Sequence, residues 1–205
     1  MTTCAIAWAV VAAATIVLVV TQTSIASPPA ASPPPDAPTP ELCVVGPRSF
    51  AEISSLSSRP INARPPEPTP TPGPIPQGTP ADPATTDGVT ATVRELVACF
   101  NAGELLRAYG LYSDRYLGRL LSRQNPTTRA AYDALATPLP SRPEDRAKVL
   151  DVHGVRELPD GRVGALVTIK YAVVPVAKTF LFTFVENDGH WMIDDIRGEI
   201  SFALP

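Results

Sequence analysis

One carboxylate near the C-terminus is placed where it could act as a general base. Asp195 lies in an alternating run typical of a β-strand, and a two-residue hairpin at the preceding Asp-Gly pair would set it opposite Phe182. Burial beside phenylalanine disfavours the charged form, so the pKa of the carboxyl group would rise towards the range useful to a base. An ion pair with Arg197 or Arg156 is the competing hypothesis, and we favour it.

Two hairpins define one almost wholly apolar face of the predicted sheet. Asp160-Gly161 and Asp188-Gly189 each separate two alternating runs, and we take both as two-residue loops. Side chains two apart share a face, and the apolar face must be the one that helices cover. The residues predicted to line this face, and any ligand pocket on it, are Val167, Ile169, Tyr171, Phe180, Phe182, Phe184, Trp191 and Ile193, joined by Arg156, Arg197 and Lys178.

Other kinds of chemistry have little support in the sequence. His153 and Asp194 are predicted on the outer, solvated face of the sheet, and His190 at a hairpin end. With two histidines and no cysteine pair at ligand spacing, neither a metal site nor a cofactor is expected. The sequence also contains no Gly-rich phosphate loop and no Gly-x-Ser-x-Gly elbow.

Arginines recur at four-residue steps along one predicted helix. Arg115, Arg119 and Arg123 would form a like-charge stripe, which costs helix stability. A solvated face is the default interpretation, and contact with an anionic membrane or envelope polymer is the functional alternative. The charge is otherwise balanced, since residues 88–205 carry 14 basic and 14 acidic side chains, so nucleic acid is not expected as a partner.

The first 26 residues have the pattern of an export signal or a membrane anchor. Residues 5–20 are apolar and uncharged, and Ser24 and Ala26 supply the small residues that a signal peptidase requires. The run is shorter than a bilayer span of about 20 residues, although residues 21–25 would extend it. Both interpretations place the rest of the chain outside the cytoplasm, either secreted or anchored.

A proline-rich segment follows the apolar run. Eighteen of the 25 prolines lie between Pro28 and Pro83, and proline removes a backbone donor and fixes φ. Residues 27–87 are therefore predicted to be an extended, disordered linker that acts as a spacer. One apolar island, residues 42–61, would either fold back onto the domain or serve as a short recognition segment.

Two cysteines remain once the predicted signal is removed. Cys43 and Cys99 could form a disulfide in an oxidising compartment, and closing the loop between them would add about 4 kcal/mol to stability on the chain-entropy model. We favour free thiols, because Cys43 falls in the segment predicted to be mobile. The disulfide stays open as the alternative.

Residues 88–205 have the length of one domain with a single core. Apolar spacing predicts a helix capped by Asp87, a break at Asn101–Gly103 and a second helical stretch. A short third helix follows Pro126, and from Ala147 the period changes to two, over four strands in a row. The predicted fold class is α+β, with N-terminal helices packed on a curved, four-stranded antiparallel meander.

This order of elements resembles the nuclear-transport-factor-2-like superfamily, which includes SnoaL-like and cystatin-like α+β rolls. VRELVACFNAGELLRAYGLYSDRYL is similar to its first helix, small-residue break and second helix, and GRVGALVTI with FTFVENDGHWMIDDI to its closing strands. The resemblance covers residues 88–200 and implies a long helix across a strongly curved sheet, often with a pocket between them. The isomerase branch also uses a tyrosine from its first helix, which has no counterpart between Leu96 and Phe100.

Three functions are open for an exported member of such a family. The ketosteroid-isomerase and SnoaL-like cyclase branches place a catalytic Asp on the sheet, which implies Asp195 as the base of an enzyme. Because the other groups that catalysis needs are missing, we favour a non-catalytic extracytoplasmic domain that binds a small apolar ligand or a protein partner. A structural envelope domain is the third alternative. The oligomeric state is open, with a dimer among the options.

Overall fold

Helices and one antiparallel sheet make up the described part of the chain, which confirms the α+β class. The computed structural model describes residues 37–58, 77–121, 127–174 and 176–199. The helices are α1 (Phe50–Ser57), α2 (Pro83–Ala102), α3 (Leu105–Gly110), α4 (Asp114–Leu121) and α5 (Arg129–Ala136). The strands are β1 (Thr79–Pro80), β2 (Lys148–Glu157), β3 (Val163–Lys170), β4 (Lys178–Asn187) and β5 (His190–Glu199).

The predicted export signal or anchor, residues 1–26, lies outside the described residues. Within the described ranges, no helix combines the length and the apolar character needed to cross a bilayer.

The sheet is a meander with one strand more than the sequence predicted. Its order is β1-β2-β3-β4-β5, and each strand is antiparallel to its neighbours. The run of four strands from β2 to β5 is the predicted one. The additional strand, β1, pairs Thr79 with Glu157, and it comes from the segment predicted to be a disordered linker. Two residues are too few for alternation to be visible in a sequence.

The start of the long helix was predicted five residues too late. α2 begins at Pro83, and the Asp82 carboxylate accepts hydrogen bonds from two backbone N–H groups of the first turn at 2.8 and 3.0 Å. Proline costs little at the first position of a helix, because the N–H group that it lacks would have no partner within the helix. Asp87, the predicted cap, lies inside α2. The predicted break is confirmed: Gly103 ends the helix with φ 71°, a left-handed conformation that favours glycine.

Residues 37–58, which we call the N-terminal arm, pack on the domain rather than forming part of a disordered linker. The arm carries α1, whose Ser49 and Glu52 form a capping box. Ile53 and Leu56 of α1 are 0 and 2% exposed and belong to the main core. The predicted linker, 27–87, is therefore wrong for the arm and for residues 77–87, and the apolar island does fold back onto the domain.

A disulfide holds the N-terminal arm to the long helix. Cys43 and Cys99 are joined with an S–S distance of 2.03 Å, so the preference for free thiols is wrong. Next to the bridge, Glu95 of α2 accepts hydrogen bonds from the backbone N–H groups of Val44 and Val45 at 3.0 and 2.7 Å. The prolines around Cys43 predict a mobile segment, whereas backbone contacts of this kind leave no trace in composition.

The inner face of the sheet, which we define by Phe182 and Phe184, packs against the helices. The register aligns Val163 with Phe184, Ala165 with Phe182 and Val167 with Phe180, as an alternating pattern predicts. α2 lies close to this face, since a side chain at Gly88 would come within 2.5 Å of the Trp191 ring. Apolar side chains of α2 complete the layer: Val89, Val93, Leu96 and Val97 are each 2% exposed or less.

The first predicted hairpin register is wrong. Glu157 pairs with Val163, so the loop between β2 and β3 is longer than the Asp-Gly pair, and two further irregularities interrupt β2. As a result Arg156 lies opposite Gly164 and faces away from the inner side, where the sequence had placed it. Its guanidinium donates to the Gly78 carbonyl at 2.8 Å and so helps to hold β1.

Candidate functional site

A bulge in β5 reverses the predicted position of the candidate base. Phe184 pairs with Ile193 as predicted, but the next residue of β4, Thr183, pairs with Asp195. β5 therefore contains one more residue than β4 over this stretch, and Asp194 is the additional one. Because side chains alternate along a strand, one inserted residue moves every later side chain to the other face.

The inner face consequently receives Ile196 in place of the carboxylate. Phe182 lies opposite Ile196, and Asp195 shares the outer face of the sheet with Thr183. Arg197 lies opposite Leu181 and is also on the outer face. The prediction that Asp195 and Arg197 line an inner pocket is therefore wrong because of the bulge in β5. The same prediction is wrong for Arg156 because of the longer β2–β3 loop and the irregularities in β2.

Asp195 is buried and bonded to two arginines. Its side chain is 8% exposed, and its two carboxylate oxygens accept hydrogen bonds from Arg119 at 2.8 Å and from Arg197 at 3.0 Å. Burial alone would raise the pKa of Asp195, but the hydrogen bonds and charges of Arg197 and Arg119 outweigh it and hold the pKa below its usual value. The expected ion pair with Arg197 is present, and Arg119 joins it.

Asp194 is the more connected of the two carboxylates. Its side chain is 4% exposed. It accepts hydrogen bonds from Ser113 Oγ at 2.7 Å, from Arg115 Nε at 2.9 Å and from Arg162 Nη1 at 3.3 Å. Burial would raise the pKa of Asp194, whereas the bonds from Arg115 and Ser113 lower it, and the net direction is downward. This burial contradicts the prediction that Asp194 lies on a solvated face of the sheet.

These residues form what we call the arginine–carboxylate cluster, whose members are Asp194, Asp195, Arg115, Arg119, Arg162 and Arg197. It joins three parts of the fold: α4, the edge strand β5 and the loop between β2 and β3. The backbone supports the same junction, because Ser113 N–H donates to the Ile193 carbonyl at 2.9 Å and Ile193 N–H donates to Leu111 at 2.8 Å. The edge of β5 is thereby covered at this point.

The cluster is suited to structure rather than to proton transfer. A general base needs a pKa near the working pH and a carboxylate oxygen that can reach a substrate. Asp195 has a lowered pKa, and each of its oxygens already accepts a bond from an arginine. Two arginines of the predicted stripe, Arg115 and Arg119, form ion pairs with these carboxylates. The third, Arg123, lies outside the described residues.

The predicted ligand pocket is occupied by packed side chains. Val167, Phe184 and Ile193 are 0% exposed, and Phe182 and Ile169 are 2 and 3% exposed. A side chain with no accessible surface cannot line a cavity that admits even one water molecule. The remaining members of the predicted set, Phe180, Tyr171 and Trp191, are half-buried and pack against the core from its margin.

The histidines take no part in this site. His153 lies opposite Leu166 on the outer face, as predicted, and its Nδ1 is 2.8 Å from a carboxylate oxygen of Asp151. Within the ranges that the structure describes, no three His, Cys, Asp or Glu side chains are grouped as metal ligands.

One signal in the sequence would have revealed the bulge. The apolar inner residues of β5 are Trp191, Ile193 and Ile196, so the spacing changes from two to three at the Asp-Asp pair. A single step of three inside an alternating run is what an inserted residue produces. Ser113 and Arg162, by contrast, lie far from Asp194 in the sequence and carry no comparable signal.

Comparison with known proteins does not assign the chain: no family model, no curated protein and no solved structure matches it.

Proposed function

We propose that this chain is a non-catalytic domain that works outside the cytoplasm by binding a partner rather than by transforming a substrate. The observation that carries the proposal is the neutralisation of both buried carboxylates by arginines, which leaves the candidate base with a lowered pKa. The buried centre of the inner face supports the same conclusion, because a small apolar ligand there would need space that side chains occupy. The favoured partner is therefore a protein.

The exported location is also a proposal, and the disulfide supports it. Bridges such as Cys43–Cys99 persist in oxidising compartments and are rare in the cytoplasm. The apolar run at residues 5–20 and the prolines that follow it fit an export signal or anchor with a spacer.

For the fold, we propose the cone of the nuclear-transport-factor-2-like superfamily. A 20-residue helix against a meander of four long strands supports this assignment, and so do the irregularities in β2 and β5, because bulges bend and twist a sheet. This family hosts both enzymes and inert binding modules, so the fold leaves the choice of function to the site.

A surface beside the disulfide suits a protein partner. Leu42 and Val44, which flank the bridged Cys43, are 45 and 74% exposed, and Phe100, which follows Cys99, is 39% exposed. Apolar side chains grouped on a surface are typical of protein interaction sites. The disulfide brings the two segments that carry these residues together, with 4.7 Å between the Cα atoms of the bridged cysteines.

The non-catalytic part of the proposal is tested by a residue-resolved carbon NMR titration of the Asp195 carboxyl group. We expect its pKa to lie below 3.8, the usual value for Asp, because Arg119 and Arg197 stabilise the charged form. A pKa above that value would revive Asp195 as a base and would contradict the proposal.

The location and the partner are tested in the native cell. Alkylation of denatured, unreduced protein should leave Cys43 and Cys99 unlabelled, whereas labelling of both would contradict an oxidising compartment. A photo-crosslinking side chain at Val44 should give a discrete protein adduct that the same group at Ala134, on the exposed side of α5, does not give. Equal adducts at both positions would contradict a partner at the disulfide surface.

A further inference from the structure

Every lysine of the chain lies at one end of the sheet. The sequence contains three lysines, Lys148, Lys170 and Lys178, against 14 arginines. Lys148 begins β2, Lys170 ends β3 and Lys178 begins β4. The register places Lys148 directly opposite Lys170, and Lys178 opposite the neighbouring Ile169. The three lysines therefore lie on three neighbouring strands at the same end of the sheet.

The hairpin between Lys170 and Lys178 carries exposed apolar side chains. Val173 and Val176 are 88 and 67% exposed, the former being the highest value among the large apolar residues that remain exposed. Both valines lie beyond the ends of β3 and β4, so they project past the last pair of the ladder. An apolar tip between lysines is thus formed at one end of the sheet.

The opposite end of the sheet carries side chains of both charges. In a meander, alternate turns lie at opposite ends, so the β2–β3 and β4–β5 loops are both far from this tip. Those loops carry Asp160, Arg162 and Asp188, and Glu186 precedes the second of them. All three lysines and the exposed valines therefore lie at one end of the sheet, whereas the other end has no lysine.

We propose that the β3–β4 hairpin is a lipid-contact site, whose valines enter the interface of an anionic bilayer while the three lysines reach the headgroups. The site goes beyond the proposed function and does not depend on it. Lysine suits this position because its long apolar stem can lie along hydrocarbon while its ammonium stays in water. Each lysine near an anionic surface is expected to strengthen binding about fivefold.

The size of the tip favours lipid over protein as its occupant. A stable protein interface needs roughly 800 Å² from each partner, which two valines on a single hairpin cannot supply. A bilayer interface imposes no such requirement, because it accepts a few apolar side chains and adds electrostatic attraction from many headgroups. Lysines on three neighbouring strands match a surface of negative charge better than they match one carboxylate.

The test introduces a tryptophan at the tip of the full-length chain. Val173→Trp is mixed with vesicles of phosphatidylcholine alone or of an equimolar mixture with phosphatidylglycerol, each with brominated acyl chains that quench tryptophan on contact. His190→Trp, at an exposed position on the other end of the sheet, is the matched control. Trp8 and Trp191 are present in every variant, so quenching is read as the difference from the parent chain. This readout reports the depth of the tip even when residues 5–20 also bind the vesicle.

We expect quenching of the tryptophan at the tip in the mixed vesicles, little in the neutral ones and none at the control position. Replacing the three lysines by glutamine in the same background should weaken binding of the tip by about a hundredfold, at fivefold for each. The proposal would be overturned by equal quenching at the two positions or by no quenching at the tip. It would also be overturned if quenching at the tip were the same in neutral vesicles and after replacement of the lysines.

Two further measurements separate a failed site from a failed fold or a failed function. The unfolding midpoint of Val173→Trp should be unchanged, because the replaced valine is 88% exposed. The Asp195 titration and the alkylation of Cys43 and Cys99 do not involve the hairpin, so they report on the proposed function whatever the tip does.

Discussion

The inner face of the sheet is held by apolar burial, whereas the outer face beside β5 is held by charge. Phe182 and Phe184 pack among aliphatic side chains with 2 and 0% exposure. On the other side of the same strands, two buried carboxylates are neutralised by four arginines. Apolar contacts tolerate changes of pH and salt, while the carboxylates stabilise the fold only when they are ionised. The two faces should therefore respond differently to mutation and to acid.

The largest effect is expected on the inner face. Phe182→Ala should lower the free energy of unfolding by about 3 to 5 kcal/mol, because it leaves a cavity beside residues that cannot collapse into it. Chemical denaturation of the parent and the variant measures the difference.

Thr183→Ala, one residue along β4, is the matched change on the outer face. Thr183 is only 5% exposed although it lies on the outer face, where it is paired with Asp195. Thr183→Ala should still lower the free energy of unfolding by less than Phe182→Ala, since it removes far less apolar volume. If Thr183→Ala were the more damaging change, the assignment of the two faces would be inverted.

Reduction of the disulfide tests how far the stability of the fold depends on the attachment of the N-terminal arm. Reduction of Cys43–Cys99 should lower the free energy of unfolding by about 2 to 4 kcal/mol, since the bridge restricts the unfolded chain. Limited proteolysis should then cut within residues 37–58, which are protected while the bridge is intact. Equal unfolding midpoints for oxidised and reduced protein would show that the packing of α1 alone secures the arm.

The same contrast explains which parts of the molecule the sequence could reveal. Alternation over Val163, Val167, Phe182 and Phe184 reflects local geometry, so the inner face and the order of the four strands were predictable. The position of Asp195 was not, because one inserted residue reverses all later side chains while leaving the composition unchanged. The arm was missed for a related reason: proline density describes what a free segment would do, not what a bridge and a capped helix hold in place.

Replacement of Asp194 tests how much the arginine–carboxylate cluster contributes to stability. Asp194→Asn should lower the free energy of unfolding by about 2 to 3 kcal/mol, because it removes the charge that Arg115 and Arg162 face and weakens several bonds at once. The partial exposure of these arginines keeps the cost below that of a fully buried pair. Asp133→Asn, which breaks an exposed pair with Arg129 on α5, is the control and should cost less than about 1 kcal/mol.

The smallest expected effect, and the one that depends only on charge, is the loss of the stabilising contribution of Asp195 at acid pH. Its folded pKa is lowered from 3.8, so its stabilising contribution is complete above that value and is lost as the pH falls through the lower folded pKa.

Asp195→Asn should lower the free energy of unfolding by about 1 to 2 kcal/mol at neutral pH, where Arg119 and Arg197 lose their partner but remain partly solvated. The difference between parent and variant should be constant from neutral pH to about 5 and should shrink below about 4, where Asp195 becomes protonated in the unfolded parent while it is still ionised in the folded parent. Denaturation curves at several pH values, with Phe182→Ala as a variant whose cost should not change with pH, measure both faces in one experiment. A cost of Asp195→Asn that grows as the pH falls would mean that the folded pKa is raised, and the outer face would then hold a strained acid instead of an ion pair.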